Sequence, residues 1–175
     1  MTADHMAERP TVAIRFSAAE IAARVDVMAA ELAAKLPADT LVVSVLKGSF
    51  VFAADLIRAL SRAGANWSMD FITLSSYGTG TQTSGNVRIV RDIVDDILES
   101  GLTLSFAKNL IKERGARRVW VCTLLDKPHK RRAPLDADFT GFEAGDEFLV
   151  GYGLDWAHRF RGLPYIGVVE KSPAE

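Results

Sequence analysis

The chain has few of the residues that mark disulfide-stabilised, zinc-binding or membrane-spanning proteins. Its 175 residues include one cysteine, Cys122, so no internal disulfide can form. The three histidines, His5, His129 and His158, are too scattered in sequence to indicate a metal site. No apolar run approaches the roughly 18 residues that a membrane span needs, and no signal-peptide pattern opens the chain. We therefore expect a cytoplasmic protein without a membrane partner.

The chain also lacks an excess of charge of either sign. Its 21 Lys and Arg residues balance 22 Asp and Glu residues, for a net charge of −1, so no general attraction to nucleic acid is expected. Hydrophobic residues make up 49% of the sequence, enough for one core. We expect a single domain over residues 11–175, after a polar and aperiodic segment, residues 1–10, that predicts a disordered tail.

Hydrophobic periodicity predicts alternating strands and helices. Ser17 and Glu20 form a capping-box pattern that begins a helix ending near Leu36, and the β-branched run from Leu41 to Leu46 is typical of a strand buried on both faces. This alternation predicts a parallel α/β sheet with ligands beyond the carboxyl ends of its strands. The further predicted elements are helices at 50–63 and 101–115 and strands at 69–74, 117–125, 147–151 and 165–169.

The segment from Val94 to Thr103 carries the strongest functional signal. An apolar run ends in Asp95 and Asp96, and a short turn containing Ser100 leads directly into an amphipathic helix. The unpaired N–H groups at the start of a helix suit a phosphate group. Two carboxylates beside a phosphate suit sugar hydroxyls or a metal ion, so the pattern indicates a sugar phosphate with Mg²⁺. The alternative is an ordinary capped turn after a solvated acidic strand end.

This segment resembles the phosphoribosyl-diphosphate motif of the type I phosphoribosyltransferases, and further motifs follow in the order seen in the hypoxanthine-guanine enzymes of that family. The resemblance covers about residues 15 to 170. It implies a mostly parallel central sheet flanked by helices, with a small hood formed by the chain ends. It also implies transfer of a 5-phosphoribosyl group to hypoxanthine, and to guanine, in purine salvage. The further motifs are Leu46-Lys47-Gly48-Ser49-Phe50, Ser75-Ser76-Tyr77-Gly78, Leu124-Leu125-Asp126-Lys127-Pro128 and the eight residues from Phe148 to Asp155.

The resemblance assigns a role to each part of the central motif. Asp95 and Asp96 are expected to hold the ribose hydroxyls, directly or through Mg²⁺. Glu99, where the hypoxanthine-guanine enzymes usually carry Asp, is expected to act as general base toward the purine N7 proton; the alternative is an acid that only favours the helix dipole. The 5-phosphate is expected to bind the main chain and hydroxyls of Ser100, Gly101, Leu102 and Thr103.

The remaining motifs imply contacts with the purine and the diphosphate. Lys127 is expected to donate to the purine O6, Phe148 to stack on the ring and the main chain of Leu149 to contact the base edge. Asp155 is expected to contribute to the purine pocket and to bind a Mg²⁺ that faces the pyrophosphate. Diphosphate is expected to contact Lys47, Gly48 and Arg161, and the Leu46–Lys47 peptide is expected to be cis. A mobile lid over about residues 75–87 is expected to begin with Ser76 and Tyr77. Lys130, Arg131 and Arg132 are interpreted as a solvated basic loop.

One departure from the family pattern leaves alternatives open. The turn and strand that usually precede the acidic pair are short by about ten residues. Either the segment Val87–Val94 itself enters the sheet as the central strand, or that strand is damaged and the chain is a catalytically impaired relative. A third interpretation is a regulator of this fold that binds nucleotide or RNA. The family implies a homodimer or homotetramer, for which Phe50, Val51 and Phe52 offer apolar surface.

Overall fold

A five-stranded parallel sheet forms the centre of the molecule. A computed structural model describes residues 11–74 and 91–170. The sheet has the order β3-β2-β4-β5-β6, and all of its pairings are parallel. Its strands are β2 (Leu41–Leu46), β3 (Ser68–Thr73), β4 (Arg91–Leu98), β5 (Val119–Asp126) and β6 (Phe139–Glu143).

Strand β4 lies in the middle of this sheet. Its first half pairs with β2, from Leu41 opposite Arg91 to Ser44 opposite Val94, and it pairs with β5 from Arg91 to Leu98. The segment before the acidic pair therefore enters the sheet as the central strand, at least from Arg91 onward, which is the first of the two sequence-based alternatives. The part of that segment before Arg91 lies outside the described residues.

In the described part of the chain, three α-helices cover the two faces of the sheet: α1 (Ala18–Lys35), α2 (Phe50–Arg62) and α3 (Leu102–Glu113). Successive strand side chains point to opposite faces, so Val42 and Val94 pack with α1 and α2, while Val43 and Ile93 pack with α3. The predicted capping box is confirmed, since Ser17 Oγ accepts from Glu20 N at 3.3 Å and Ser17 N donates to Glu20 Oε2 at 2.8 Å. Cys122 is buried in β5.

A small antiparallel sheet forms the predicted hood. Its order is β1-β8-β7, where β1 is Val12–Phe16, β7 is Leu149–Val150 and β8 is Ile166–Val169. The sequence patterns did not predict β1 or β6. Both are short edge strands with mixed exposure, and Gly141 interrupts the apolar pattern of β6. Among the described residues, no helix is both long enough and apolar enough to cross a bilayer.

The central position of β4 generates a stability prediction. Ile93 is fully buried between β2 and β5, so Ile93→Ala should lower the free energy of unfolding by about 2–5 kcal/mol through lost burial and a residual cavity. Ile14, on β1, is 63% exposed, so Ile14→Ala should cost about 0.5 kcal/mol or less. Denaturant unfolding of both variants measures the difference. Equal decreases in the free energy of unfolding of the two variants would contradict the placement of β4.

Candidate functional site

The carboxyl ends of β2, β4 and β5 bring three of the predicted motifs to one edge of the sheet. Strand β2 ends at Leu46 and leads into Lys47 and Gly48, β4 leads into the loop 99–101, and β5 leads into Lys127. Parallel strands that lie side by side end at the same edge, so the three loops are neighbours. The predicted cis peptide between Leu46 and Lys47 is confirmed.

The loop after β4 has the geometry of an anion-binding turn. Gly101 is buried and occupies the N-cap position of α3 with φ +77°, a left-handed conformation that favours glycine. Ser100 Oγ accepts from Leu102 N at 3.3 Å, and the next N–H groups of the first helical turn have no acceptor within the helix. The apolar Leu102 side chain is 56% exposed, so this residue could contribute to an anion site only through its main chain.

A cavity of about 260 Å³ opens above this turn. The two acids at the end of β4 and the loop residues line it, which places a phosphate-sized space between carboxylates and helix N–H groups. Its lining residues are Asp95, Asp96, Ile97, Leu98, Glu99, Ser100, Gly101, Thr103 and Leu104.

The two acids are held in the protein rather than in solvent. Asp95 Oδ1 accepts from Asp96 N at 2.9 Å, and Asp96 Oδ1 accepts from Ile97 N at 3.1 Å. Burial raises the pKa of Asp95 well above its usual range, and the neighbouring Asp96 carboxylate adds to this effect. Burial also raises the pKa of Asp96, although the positive charge of Arg161 opposes the rise. The alternative of a solvated acidic strand end is therefore wrong.

The Lys47–Gly48 loop packs tightly between the acidic pair and the hood. A Cβ on Gly48 would overlap the Asp96 carboxylate, and a Cβ on Gly153 would overlap the Gly48 carbonyl. Gly153 has φ +102°, so glycine is required there on both grounds. Sequence reasoning did not single out Gly153, because its contact with Gly48 joins residues 105 positions apart.

Arg161 connects the hood to the acids. It donates to the Gly153 carbonyl at 2.5 Å and pairs with Asp155 Oδ1 at 2.6 Å. The structure therefore brings Gly48, Asp155 and Arg161, predicted from separate motifs, to one side of the site. Tyr152 anchors this hood segment by donating its hydroxyl to Asp55 Oδ2 at 2.6 Å, a contact that the sequence did not reveal.

The residues expected to contact the purine differ in burial, and Lys127 is held by two neighbouring segments. Lys127 is buried, and its Nζ lies 3.0 Å from Glu99 Oε1 and donates to the Glu147 carbonyl at 2.8 Å. Phe148 is 57% exposed, so the alternative of a core aromatic is wrong, whereas Leu149 is buried in β7. The ammonium group and the Glu99 carboxylate are thus in contact beside the turn after β4 (residues 99–103, the phosphate turn), and the exposed Phe148 directly follows the carbonyl that binds Lys127.

The interpretation of residues 130–132 as a solvated loop is wrong for Arg131. Its side chain is 13% exposed, and its guanidinium pairs with the Asp126 carboxylate at 2.5 Å. Lys130 is half-buried and Arg132 is exposed. The error arose because three consecutive basic residues usually indicate a solvated surface, and the partners of Arg131 lie on other segments.

The sequence matches the model of the phosphoribosyl transferase domain over residues 17–156. The chain belongs to the phosphoribosyltransferase family. Within this family, the chain is 43% identical to the hypoxanthine-guanine phosphoribosyltransferase of Bacillus subtilis, an alignment that covers 93% of this chain and 95% of the relative.

Solved structures of the same family share the fold. The hypoxanthine phosphoribosyltransferase of Trypanosoma cruzi superposes with a TM-score of 0.84 at 33% identity, covering 91% of this chain and 97% of that one. The same enzyme in complex with the product IMP also gives a TM-score of 0.84, at 32% identity and 93% and 92% coverage. The predicted fold class is therefore confirmed.

The predicted lid lies outside the described residues. It includes Ser76 and Tyr77 and was expected over about residues 75–87; the expected tail at residues 1–10 lies outside the described residues as well. Trp156, which adjoins Asp155, is 46% exposed and stacks on Phe160 with ring centroids 6.3 Å apart.

Burial of the acids predicts a stability that depends on pH. An acid whose pKa is raised by folding stabilises the folded state below its unfolded pKa of about 3.9, and this contribution is lost as the pH rises through the folded pKa. Asp95→Asn removes the buried charge at all pH values. Its melting temperature without ligand should therefore exceed that of the parent protein at pH 8, with the gap narrowing toward pH 4.

The matched control is Asp146→Asn, because the Asp146 side chain is 82% exposed. Its melting temperature should follow that of the parent protein at both pH values. A melting temperature of Asp95→Asn that is lower than the parent value at pH 8 would contradict the buried charge.

Proposed function

We propose that this chain transfers the 5-phosphoribosyl group from phosphoribosyl diphosphate to hypoxanthine, and to guanine, releasing diphosphate, as a purine salvage enzyme. The observation that carries the proposal is the juxtaposition at the end of β4. The buried Asp95 and the half-buried Asp96 line the same cavity as the helix N-terminal turn suited to phosphate, and Glu99 of that turn is in direct contact with Lys127. The names of the relatives support the same reaction.

The 5-phosphate should bind the N–H groups and hydroxyls of residues 100–103. Three features favour an anion there: the positive end of the α3 dipole, the unpaired N–H groups of its first turn, and the Ser100 and Thr103 hydroxyls. Binding at this turn would fix one end of the donor. The reacting carbon of the ribose then lies at a set distance from the remaining groups.

Asp95 and Asp96 should face the ribose, and the site fits Mg²⁺ that arrives with the diphosphate. Among residues 11–74 and 91–170, no group of three or more His, Cys, Asp or Glu side chains could hold a metal by itself. Mg²⁺ is usually bound by one or two carboxylates together with substrate phosphates, so Asp96 and Asp155 are suitable partial ligands. When bound, the ion would neutralise charge that develops on the leaving diphosphate.

The diphosphate should lie against the Lys47–Gly48 loop and Arg161. Lys47 is exposed and can turn toward an anion, and Arg161 is held beside the site by Asp155 and the Gly153 carbonyl. Two cations and the loop main chain can stabilise the negative charge released when the glycosidic bond breaks. The lid that includes Ser76 and Tyr77 would exclude water from this step.

The purine should stack on Phe148 with its O6 at Lys127. Lys127 Nζ is bound to Glu99 and to the Glu147 carbonyl, which uses two of the three N–H donors of the ammonium group, so the third can donate to O6. A buried donor selects against a base that offers it no acceptor, which favours 6-oxopurines over adenine. The main chain of Leu149 would contact the opposite edge of the base.

Glu99 should accept the proton from the purine N7. Its carboxylate is partly exposed, lines the cavity above the turn and lies 3.0 Å from Lys127 Nζ, which supports a role beside a purine bound at Lys127. Glutamate carries one methylene more than the aspartate usual in the family. The longer side chain reaches farther from the main chain toward the base.

We also propose a cytoplasmic homodimer or homotetramer. Phe52 belongs to the core, so the expected Phe50-Val51-Phe52 surface reduces mainly to Phe50, which is 45% exposed. A second exposed apolar surface is formed by Leu102 and Phe106, which lie four residues apart on α3. Light scattering gives the oligomeric state, and a monomer would contradict this assignment.

Turnover tests the proposed reaction directly. The protein is mixed with MgCl₂, phosphoribosyl diphosphate and hypoxanthine, guanine or adenine, and nucleotide formation is followed by absorbance. Hypoxanthine and guanine should react and adenine should not. Binding of phosphoribosyl diphosphate without turnover of any 6-oxopurine would instead identify a catalytically impaired relative.

The role of Glu99 generates a second prediction. Glu99→Gln should lower kcat by about 10²–10⁴-fold, because the amide cannot accept the N7 proton, with little change in donor binding. Glu99→Asp keeps the carboxylate and should retain activity within about tenfold of the parent. The control Glu113→Gln, at the distant end of α3, should leave kcat unchanged. A normal rate for Glu99→Gln would remove the general-base role.

A further inference from the structure

One neighbouring segment, residues 127–133, binds the carbonyl groups that lead into the phosphate turn. Three successive carbonyls, those of Leu98, Glu99 and Ser100, accept hydrogen bonds from it. The C=O and N–H groups of an extended or turned chain point in different directions, so binding the carbonyls on one side leaves the N–H groups free to face the cavity. The main-chain donors are Lys127 N to Leu98 O (2.9 Å), and Arg132 N and Ala133 N to Ser100 O (2.9 and 3.0 Å).

The Arg131 side chain supplies the central part of this contact. Its Nη1 donates to both the Leu98 carbonyl, at 3.1 Å, and the Glu99 carbonyl, at 2.7 Å, while Nη2 binds the Asp126 carboxylate at 2.5 Å. Asp126 is the last residue of β5 and is paired in register with Leu98, the last residue of β4. The guanidinium therefore joins the turn after β4 to the end of the adjacent strand.

The Arg131 side chain also restricts which residue can occupy position 101, the N-cap of α3. A Cβ on Gly101 would lie 3.1 Å from Arg131 Cδ, so the arginine stem fills the space behind that glycine. Among the described atoms, Arg131 Nε is buried without a hydrogen-bond partner. An unpaired buried donor opposes stability, so the arrangement is better explained by the geometry it imposes than by the stability it provides.

We propose that Arg131 is a positioning residue that orients the main chain of residues 98–101, and thereby the phosphate turn and the Glu99 carboxylate, without touching substrate. The planar fork of a guanidinium can bind two carbonyls and a carboxylate at once, whereas an ammonium group offers no such fixed geometry. This assignment rests on the proposed role of the turn in binding the 5-phosphate of the donor.

Ribose 5-phosphate, which carries the phosphate but cannot react, is the probe of the turn. Arg131→Met should raise its Kd at least tenfold and raise the KM for phosphoribosyl diphosphate similarly, with a fall in kcat because Glu99 moves as well. The KM for hypoxanthine should change less than the KM for the donor. Arg131→Lys should give values between those of the parent and Arg131→Met, and it covers the case in which the methionine variant does not fold.

Arg132→Met is the matched control for charge. Arg132 is exposed and adjacent, so its loss reports the effect of one positive charge near the site, expected to be small and dependent on salt. An Arg132→Met effect as large as that of Arg131→Met would overturn the positioning role. Ribose 5-phosphate binding by Arg131→Met with the Kd of the parent would also overturn it. If Arg131→Met does not fold, the same result for Arg131→Lys would do so.

Amide hydrogen exchange separates this inference from the proposed reaction. In the ligand-free protein, Arg131→Met should speed exchange in residues 98–104 without changing exchange in β2. That readout needs no turnover, so an inactive parent protein would defeat the proposed reaction and leave the positioning role testable. Unchanged exchange in residues 98–104 would contradict the inference even in an active enzyme.

Discussion

The arrangement of the site depends on the hydrogen bonding of β4 to strands on both sides. Ladders on both sides fix the direction and register of β4 from Arg91 to Val94, and the ladder with β5 continues to Leu98, so the residues after Val94 are placed more precisely than those of an edge strand. Both acids lie in the second half of this strand, and the phosphate turn follows it without an intervening linker. Shortening the chain before Asp95 leaves this constraint intact, because the residues from Arg91 onward still fill the central position.

Close packing extends this constraint to the hood. Asp96 lies against Gly48, and Gly48 lies against Gly153, whose carbonyl is bound by Arg161. The Asp96 carboxylate fills the space between β4 and Gly48, whereas Gly48 and Gly153 approach each other through their main chains. This side of the site is therefore assembled from the parallel sheet, the loop after β2 and the hood segment in direct contact, and a displacement of any of the three would be transmitted to the others.

The electrostatics of the ligand-free site are unfavourable in a way that a ligand would relieve. Asp95 is buried and the adjacent Asp96 is half-buried, and desolvation raises the pKa of each carboxyl group. Lys127 is buried and paired with Glu99. A cation with the donor and a 6-oxopurine would satisfy these groups, which is the pattern expected when stability is given up for binding.

Local patterns in the sequence predicted the elements that have a clear local cause. The capping box at Ser17 and the β-branched run from Leu41 to Leu46 specify their structures by themselves, and motif order located the acids and the turn. Strands β1 and β6 were missed because short, half-exposed edge strands carry little periodicity. The role of Arg131 and the contact of Gly153 with Gly48 could not be predicted, since both depend on residues distant in sequence.

The most direct test of the account is the position of the phosphate in a crystal structure of this protein with IMP. The account predicts phosphate oxygens within hydrogen-bonding distance of the main-chain N–H groups and hydroxyls between Ser100 and Thr103, with the ribose hydroxyls toward Asp95 and Asp96. A well-ordered nucleotide whose phosphate lies elsewhere, or whose ribose faces away from the end of β4, would contradict it.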